Sequence, residues 1–408
     1  MSSTLEHDPR VVAERAGLAG FLADYGRRIR QGDIGQLPVI VGLITIWVFF
    51  YFKSPNHVFL GSFNLVNLTL QMAAVGSISV GIVLVLLLGE IDLSAGVVSG
   101  MCAAVMAVLN VNHGFSAPMA LGLALMAGAA VGTLHGTWIT RFNIPSFVVT
   151  LAGLIAWQGL LLLILGRTGT INLKDPFITG LAGTFFHGWK AYALGAAFLG
   201  YVALGPILAQ RRRRAAGLST QSMNVVLMRG ALFTVLVLLA IYKLCEDRGI
   251  SSSLVYLLGL VVGMDLILRR TRVGRMIYAI GGNAEAARRA GIPVRRVRTL
   301  VFALASMLAG WGGILGASRL LAVNQSAGQG DVLLNAIAAA VIGGTSLFGG
   351  RGSVWAALLG IIVIQSISNG MDLLSLQPSI KFMITGAVLL AAVTLDAVLR
   401  RGRTPGGR

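Results

Sequence analysis

The sequence predicts an all-α fold, a polytopic transmembrane helical bundle of about twelve membrane segments, and three observations carry that expectation. Apolar residues make up 56% of the 408 and charged residues only 12%, more apolar surface than a soluble domain can cover. No Asp, Glu, Lys or Arg occurs in 54–89 or in 93–140, and these stretches have the length of one and two bilayer crossings. Basic residues gather between the apolar runs, on alternate sides of them.

Taken in order, residues 1–36 mix acidic and basic side chains and lack the apolar core of a cleavable signal peptide. They read as a cytoplasmic N-terminal extension with a surface helix over 11–30. The transmembrane domain, 37–400, then opens with spans at 37–52 and 63–88 and a pair inside 93–140, divided near 110–118. Further spans fall at 145–166, 191–210, 225–245 and 250–268. Four more, at 299–318, 332–348, 353–371 and 380–399, follow the long polar stretch 269–298, and 401–408 is a cytoplasmic tail.

The positive-inside rule tests this count, because the side alternates with every span. With both termini inside, the inner side collects all but eight of the 33 Lys and Arg residues, the run at 211–214 and the nine arginines of 269–298 among them. The eight others, Lys53, Arg167, Lys174, Lys190, Lys243, Arg248, Arg319 and Lys381, stand singly on or towards the outer side. Membrane topology therefore accounts for the net charge of +18 better than a nucleic-acid partner does, and none is expected. Cys102 and Cys245 both fall inside apolar runs without metal-ligand spacing, which indicates neither a disulfide framework nor a metal site.

The stretch 269–298 is the one long polar interruption. Within it Gly281 and Gly282 lead into a two-turn helical pattern over 283–290. Asn283 suits the N-cap, Glu285 lies in the first turn where the helix dipole favours an acid, and Arg288 and Arg289 lie in the last turn. Ala286 and Ala287 fill the turn between, and Gly291 suits a left-handed C′ position. Such a helix either docks a cytoplasmic partner or belongs to a basic loop that only sets topology.

Glycines at every fourth position, as at Gly128, Gly132 and Gly136, form the small-residue stripe by which transmembrane helices pack closely. Two other Gly-rich stretches break the helical pattern. At 89–96, Glu90, Asp92 and Ser94 stand where one apolar run ends and the next begins. Asp92 there either caps the following helix or lines a polar substrate path, since carboxylates at membrane depth need a cavity or a partner. The second break, 343–353, has a similar Gly-rich turn followed by a serine and a small-residue helix, which suggests an internal repeat. None of the five lysines follows a glycine, so no phosphate-binding P-loop exists. There is no nucleophile elbow and no zinc-binding H-E-x-x-H either, and the chain is not expected to be an enzyme or to bind a cofactor.

Four motifs in this order, GEIDLSAG, IPSFVVTLAGL, RTRVGRMIYAIGGNAEAARRAGI and IGGTSLFGGRGSV followed by SNGMD, resemble the permease subunits of bacterial ABC sugar importers in the ribose and xylose group. The family more often has Val where Ala95 stands. The segment 187–262 is longer than the ribose type needs and is similar to the xylose type. The resemblance covers about 37–400 and implies a monosaccharide permease of the inner membrane. It implies as partners a cytoplasmic ABC ATPase subunit that consumes ATP, a periplasmic sugar-binding protein, a second permease chain and the lipid bilayer. It further implies that 281–292 docks into the ATPase. The competing reading is a proton-coupled secondary transporter, which would need buried carboxylates or histidines as a relay; here Asp265 and Asp396 lie near span ends beside arginines.

Overall fold

The computed structural model describes residues 37–216 and 223–401; the expected extension 1–36, with its surface helix, and 402–408 of the tail lie outside the described residues. In chain order the helices are α1 (Leu37–Lys53), α2 (Ser62–Leu87), α3 (Ala95–Ala107), α4 (Ala117–Phe142) and α5 (Ser146–Leu165). Next come α6 (Pro176–Gly183), α7 (Trp189–Ala215), α8 (Met223–Cys245), α9 (Ser252–Arg270), α10 (Arg272–Gly282) and α11 (Ala284–Arg289). The last are α12 (Val294–Leu320), α13 (Val332–Ile342), α14 (Val354–Leu373) and α15 (Pro378–Arg401).

Every predicted segment contains a helix, but among the described residues eight helices are long and apolar enough to cross a membrane. The clearest departure is α13. Hydropathy runs on to Phe348, yet the helix stops at Ile342, because Gly343 closes it and Gly344 turns the backbone to φ +103°. Eleven residues span only about 16 Å of the roughly 30 Å hydrocarbon layer, so α13 is a half-helix.

The chain divides into two compact units. One comprises 186–250 and is the hairpin of α7 and α8. Its His187 donates from Nε2 to the Cys245 carbonyl at 2.7 Å, and α8 exposes Leu232, Val235, Leu236 and Leu239, as a lipid-facing span does.

The other unit holds the remaining described residues, and its core is built on α2, α3, α4 and α12. The stripe Gly128, Gly132 and Gly136 of α4 lies against the backbone of α12 from Thr299 to Ser306. A Cβ on Gly128 would come within 2.9 Å of the Ser306 carbonyl oxygen, so the stripe is a packing surface. A short ribbon pairs β1 (Thr170–Asn172) with β2 (Ala322–Asn324) in antiparallel register, Ile171 opposite Val323. It joins the chain just after α5 to the chain just after α12, so the two helices end on the same side. The short helix α6 follows, capped by Asp175, whose Oδ1 accepts from Phe177 N at 2.8 Å, and tied to α12 where Ser318 Oγ accepts from Ala182 N.

Candidate functional site

The stretch 269–298 folds as a helix–turn–helix. Thr271 caps α10 by accepting from Gly274 N at 3.2 Å. Its Gly274, Ile277 and Ile280 are buried while Arg272 and Arg275 are exposed. This helix was not among the predicted elements, though Val273, Ile277 and Ile280 carry its apolar spacing.

The second helix, α11, has the expected caps. Asn283 Oδ1 accepts from Ala286 N at 2.9 Å. At the other end Gly291, at φ +83°, donates to Arg288 O and Ile292 donates to Ala287 O, the paired bonds of a Schellman ending. Arg288 grips Glu285 with Nη2 at 2.9 Å and Nε at 3.1 Å, and Arg289 adds Nε at 3.1 Å. The hydrogen bonds from Arg288 and then Arg289 hold the Glu285 carboxyl below its ordinary range, and the same carboxylate raises Arg288. Ala287 is buried, while Gly282, Asn283, Glu285, Ala286 and Arg288 are exposed, which leaves one side of the helix open to a partner.

The two Gly-rich breaks meet this element. Helix α2 ends in a Schellman motif of its own: Gly89, at φ +77°, donates to Leu86 O and Glu90 donates to Val85 O. From the second break, Gly350 donates to the Leu87 carbonyl at 2.9 Å. Gly281 is wedged between these chains, since a Cβ there would collide with the Leu87 carbonyl oxygen and come 2.5 Å from Gly350 N. Tyr278, on α10, donates its hydroxyl to Gly352 O at 2.9 Å. Backbone of three segments far apart in sequence is thus in direct contact, and glycine permits that approach.

The start of α5 completes the site. Ser146 Oγ accepts from Ile91 N and Thr150 Oγ1 from Leu93 N, both at 3.1 Å, so two amides of the first break are held by side chains one helical turn apart. Both hydroxyls are buried and neither was singled out in the sequence. Their spacing of four behind Pro145 is the signal that could have found them.

Asp92 is 2% exposed. Its Oδ1 accepts from Ser94 N at 2.8 Å and from Ser94 Oγ at 2.6 Å. Ser94 is itself the residue that flanks α3, so the carboxylate orders the approach to the helix rather than capping its first free amides. Its Oδ2 has no hydrogen-bond partner, and the residue helps line a cavity of about 60 Å³ with Ile82, Val85, Leu86, Ile91, Ile337 and Leu347. Glu90 points elsewhere, its Oε1 lying 3.2 Å from Arg298 Nη2 on α12. Asp265 is paired with Arg269 at 2.7 Å.

The first break, the start of α5, α10–α11 and the second break are gathered at one end of the bundle, where Gly281, at the end of α10, is wedged between the two breaks.

Residues 64–393 match the family model described as branched-chain amino acid transport system / permease component. The xylose transport system permease protein of Escherichia coli (strain K12) is 36% identical over 367 residues, 89% of this chain and 92% of that protein. Its counterpart of the same name in Haemophilus influenzae is 34% identical over 88% of this chain and 96% of that protein. The ribose import permease protein of Bacillus subtilis is 30% identical over 90% and 94%. No solved structure matches the chain.

Proposed function

The chain belongs to the branched-chain amino acid transport system / permease component family, and on that premise we propose that it is the membrane-spanning subunit of an ATP-binding cassette importer. Its cargo in this reading is a monosaccharide, D-xylose or a related pentose, because the relatives named for xylose are the more similar ones, ahead of the ribose permease. The chain spans the inner membrane about twelve times with both termini inside, works as a pair of permease chains, and receives sugar from a periplasmic binding protein. Energy comes from a separate ATPase subunit that hydrolyses ATP.

One observation carries this reading: the exposed, doubly capped helix α11 follows directly on the end of α10, where Gly281 is packed against the backbone of both helix breaks. A force applied at α11 reaches those breaks through backbone contacts, and displacement of short rigid elements is how domain motions are passed on. Gly281, Gly282, Asn283, Glu285, Ala286, Ala287, Arg288 and Gly291 form the docking element. Asp92 and Ser94, with Glu90 at the inner mouth, stand on the substrate path. The free oxygen of Asp92 is an acceptor for a sugar hydroxyl once the breaks part.

The test is uptake in vesicles holding the permease, its ATPase subunit and the binding protein. Gly291→Val forces a β-branched residue into the left-handed conformation at a cost of about 1–2 kcal/mol, and nothing lies near that Cβ to clash. The variant should reach the membrane, yet sugar uptake should fall roughly tenfold. Full uptake by the variant, or movement of sugar down a proton gradient by the wild-type permease without its ATPase, overturns the proposal.

A further inference from the structure

Of the nine arginines in 269–298, those at 269, 270, 272, 275, 288, 289, 295 and 296 are exposed and Arg298 alone is not. Arg298 is also the one that reaches the first helix break: its Nη2 lies 3.2 Å from Glu90 Oε1, with the side chains 24% and 13% exposed. Its Nε is buried and has no hydrogen-bond partner. An arginine has five donors in a fixed fork, so this one leaves part of its capacity unused in order to reach Glu90. An ion pair this far from water gains little net stability from its own formation. Loss of one partner is different, since it strands the other charge in a poorly solvated place.

The two partners sit at mechanically distinct places. Arg298 is in the first turns of α12, the helix entered from α11 through the Gly291 ending and Pro293. Glu90 is the residue just past the Gly89 ending of α2, its amide bonded to Val85 O. The residue after it, Ile91, and Leu93 two further on carry the amides clasped by Ser146 and Thr150. A displacement of α11 therefore moves the root of α12, and through Arg298 it bears on the end of α2 and the entry to α3. The Gly281 contacts lie on α10, on the other side of α11, so the break is held from both ends of the docking element.

We propose that the Glu90–Arg298 ion pair is the strap that makes the α2–α3 break follow the docking helix, so that both are positioning residues for transport. This rests on the importer reading above and adds the route by which the force arrives. Neither partner lies on α11, whose exposed face is the docking surface in this reading, so loss of the pair leaves docking and hydrolysis in place and spends ATP without moving sugar.

The experiment measures sugar moved per ATP hydrolysed in vesicles containing the full complex. Arg298→Gln and Glu90→Gln should each lower that ratio about tenfold while the ATPase subunit still co-purifies with the permease. Arg298→Lys should keep at least half of the ratio, and the reciprocal exchange E90R/R298E should restore most of what either neutralisation loses. Two results overturn the strap: neutralised variants that couple as the wild type does, or an assembled exchange variant no better than Glu90→Gln. If the exchange variant does not assemble, equal losses in Arg298→Lys and Arg298→Gln overturn it instead. Failure of the importer reading shows up separately, as wild-type uptake that needs no nucleotide.

Discussion

Helices α2 and α5 are equally apolar over their most apolar windows, yet 83% of that window is buried in α2 and only 22% in α5. Apolarity thus marks both as membrane segments and says nothing about which neighbour each meets. The difference lies in the small and polar residues. Helix α2 carries Gly76, Gly81, Ser77 and Ser79 along its buried length, and a Cβ on Gly81 would stand 2.8 Å from the Ala305 carbonyl oxygen of α12. Helix α5 exposes Phe147, Leu151, Ile155 and Leu163. It buries a single stripe, and that stripe begins with Ser146 and Thr150, the two hydroxyls that hold the first break. A peripheral helix thus supplies two parts of the site with one face, while the central helix supplies its backbone end.

The sharpest way to break this comparison is to truncate the same residue type in both helices. Leu84 in α2 is 2% exposed and Leu163 in α5 is 77% exposed. Leu84→Ala should cost about 2–5 kcal/mol, because the surrounding helices cannot close the cavity completely. Leu163→Ala should stay within about 0.5 kcal/mol, since lipid fills the space. Chemical unfolding in mixed micelles reads both, and equal losses would mean that the burial difference has no energetic weight.

A somewhat smaller effect is expected from adding volume. Gly81→Leu drives a side chain into the α12 backbone and should destabilise by about 1–3 kcal/mol, whereas Gly159→Leu in α5 meets nothing within 4 Å and should be silent. Thermal aggregation midpoints in detergent would separate them. A silent Gly81→Leu would show that α2 and α12 can slide apart, and the tight core would then be the wrong picture.

These contrasts also explain what the sequence could and could not reveal. Most helices were legible because charge-free runs and glycine endings are local signals: Gly291 was readable as a left-handed end, and it is one. Helix α10 was hidden because four arginines in the seven residues from Arg269 to Arg275 outweigh a stripe of Val273, Ile277 and Ile280. Helix α6 was hidden by its eight residues, although Asp175 followed by Pro176 is a helix start. Helix α13 was overdrawn because hydropathy does not register the stop at Gly343. Helix α11 was legible, caps included, since its bonds join residues three to five apart. The contacts of Gly281 with Leu87 and of Arg298 with Glu90 join distant segments and depend on how α12 packs, which no single window of sequence contains.

The smallest effect should come from an exposed ion pair at the site. Glu285 lies on the open face of α11, half exposed, between Arg288 and Arg289 that are more exposed still; pairs of this kind contribute little to stability. Its carboxyl titrates below its ordinary value near 4.5, first through the hydrogen bond from Arg288 and then through that from Arg289. A carboxyl depressed in the folded state stabilises it above the unfolded titration range, and the contribution is lost as pH falls through the folded one. The protection of the α11 amides relative to intrinsic exchange should therefore be flat through neutral pH and fall only below the ordinary carboxylate range, with Glu285→Gln removing that acid-side change and leaving the neutral protection nearly the same. A large loss of protection in Glu285→Gln at neutral pH would show that an exposed pair carries as much weight here as a buried leucine, and burial would no longer rank the residues of this molecule.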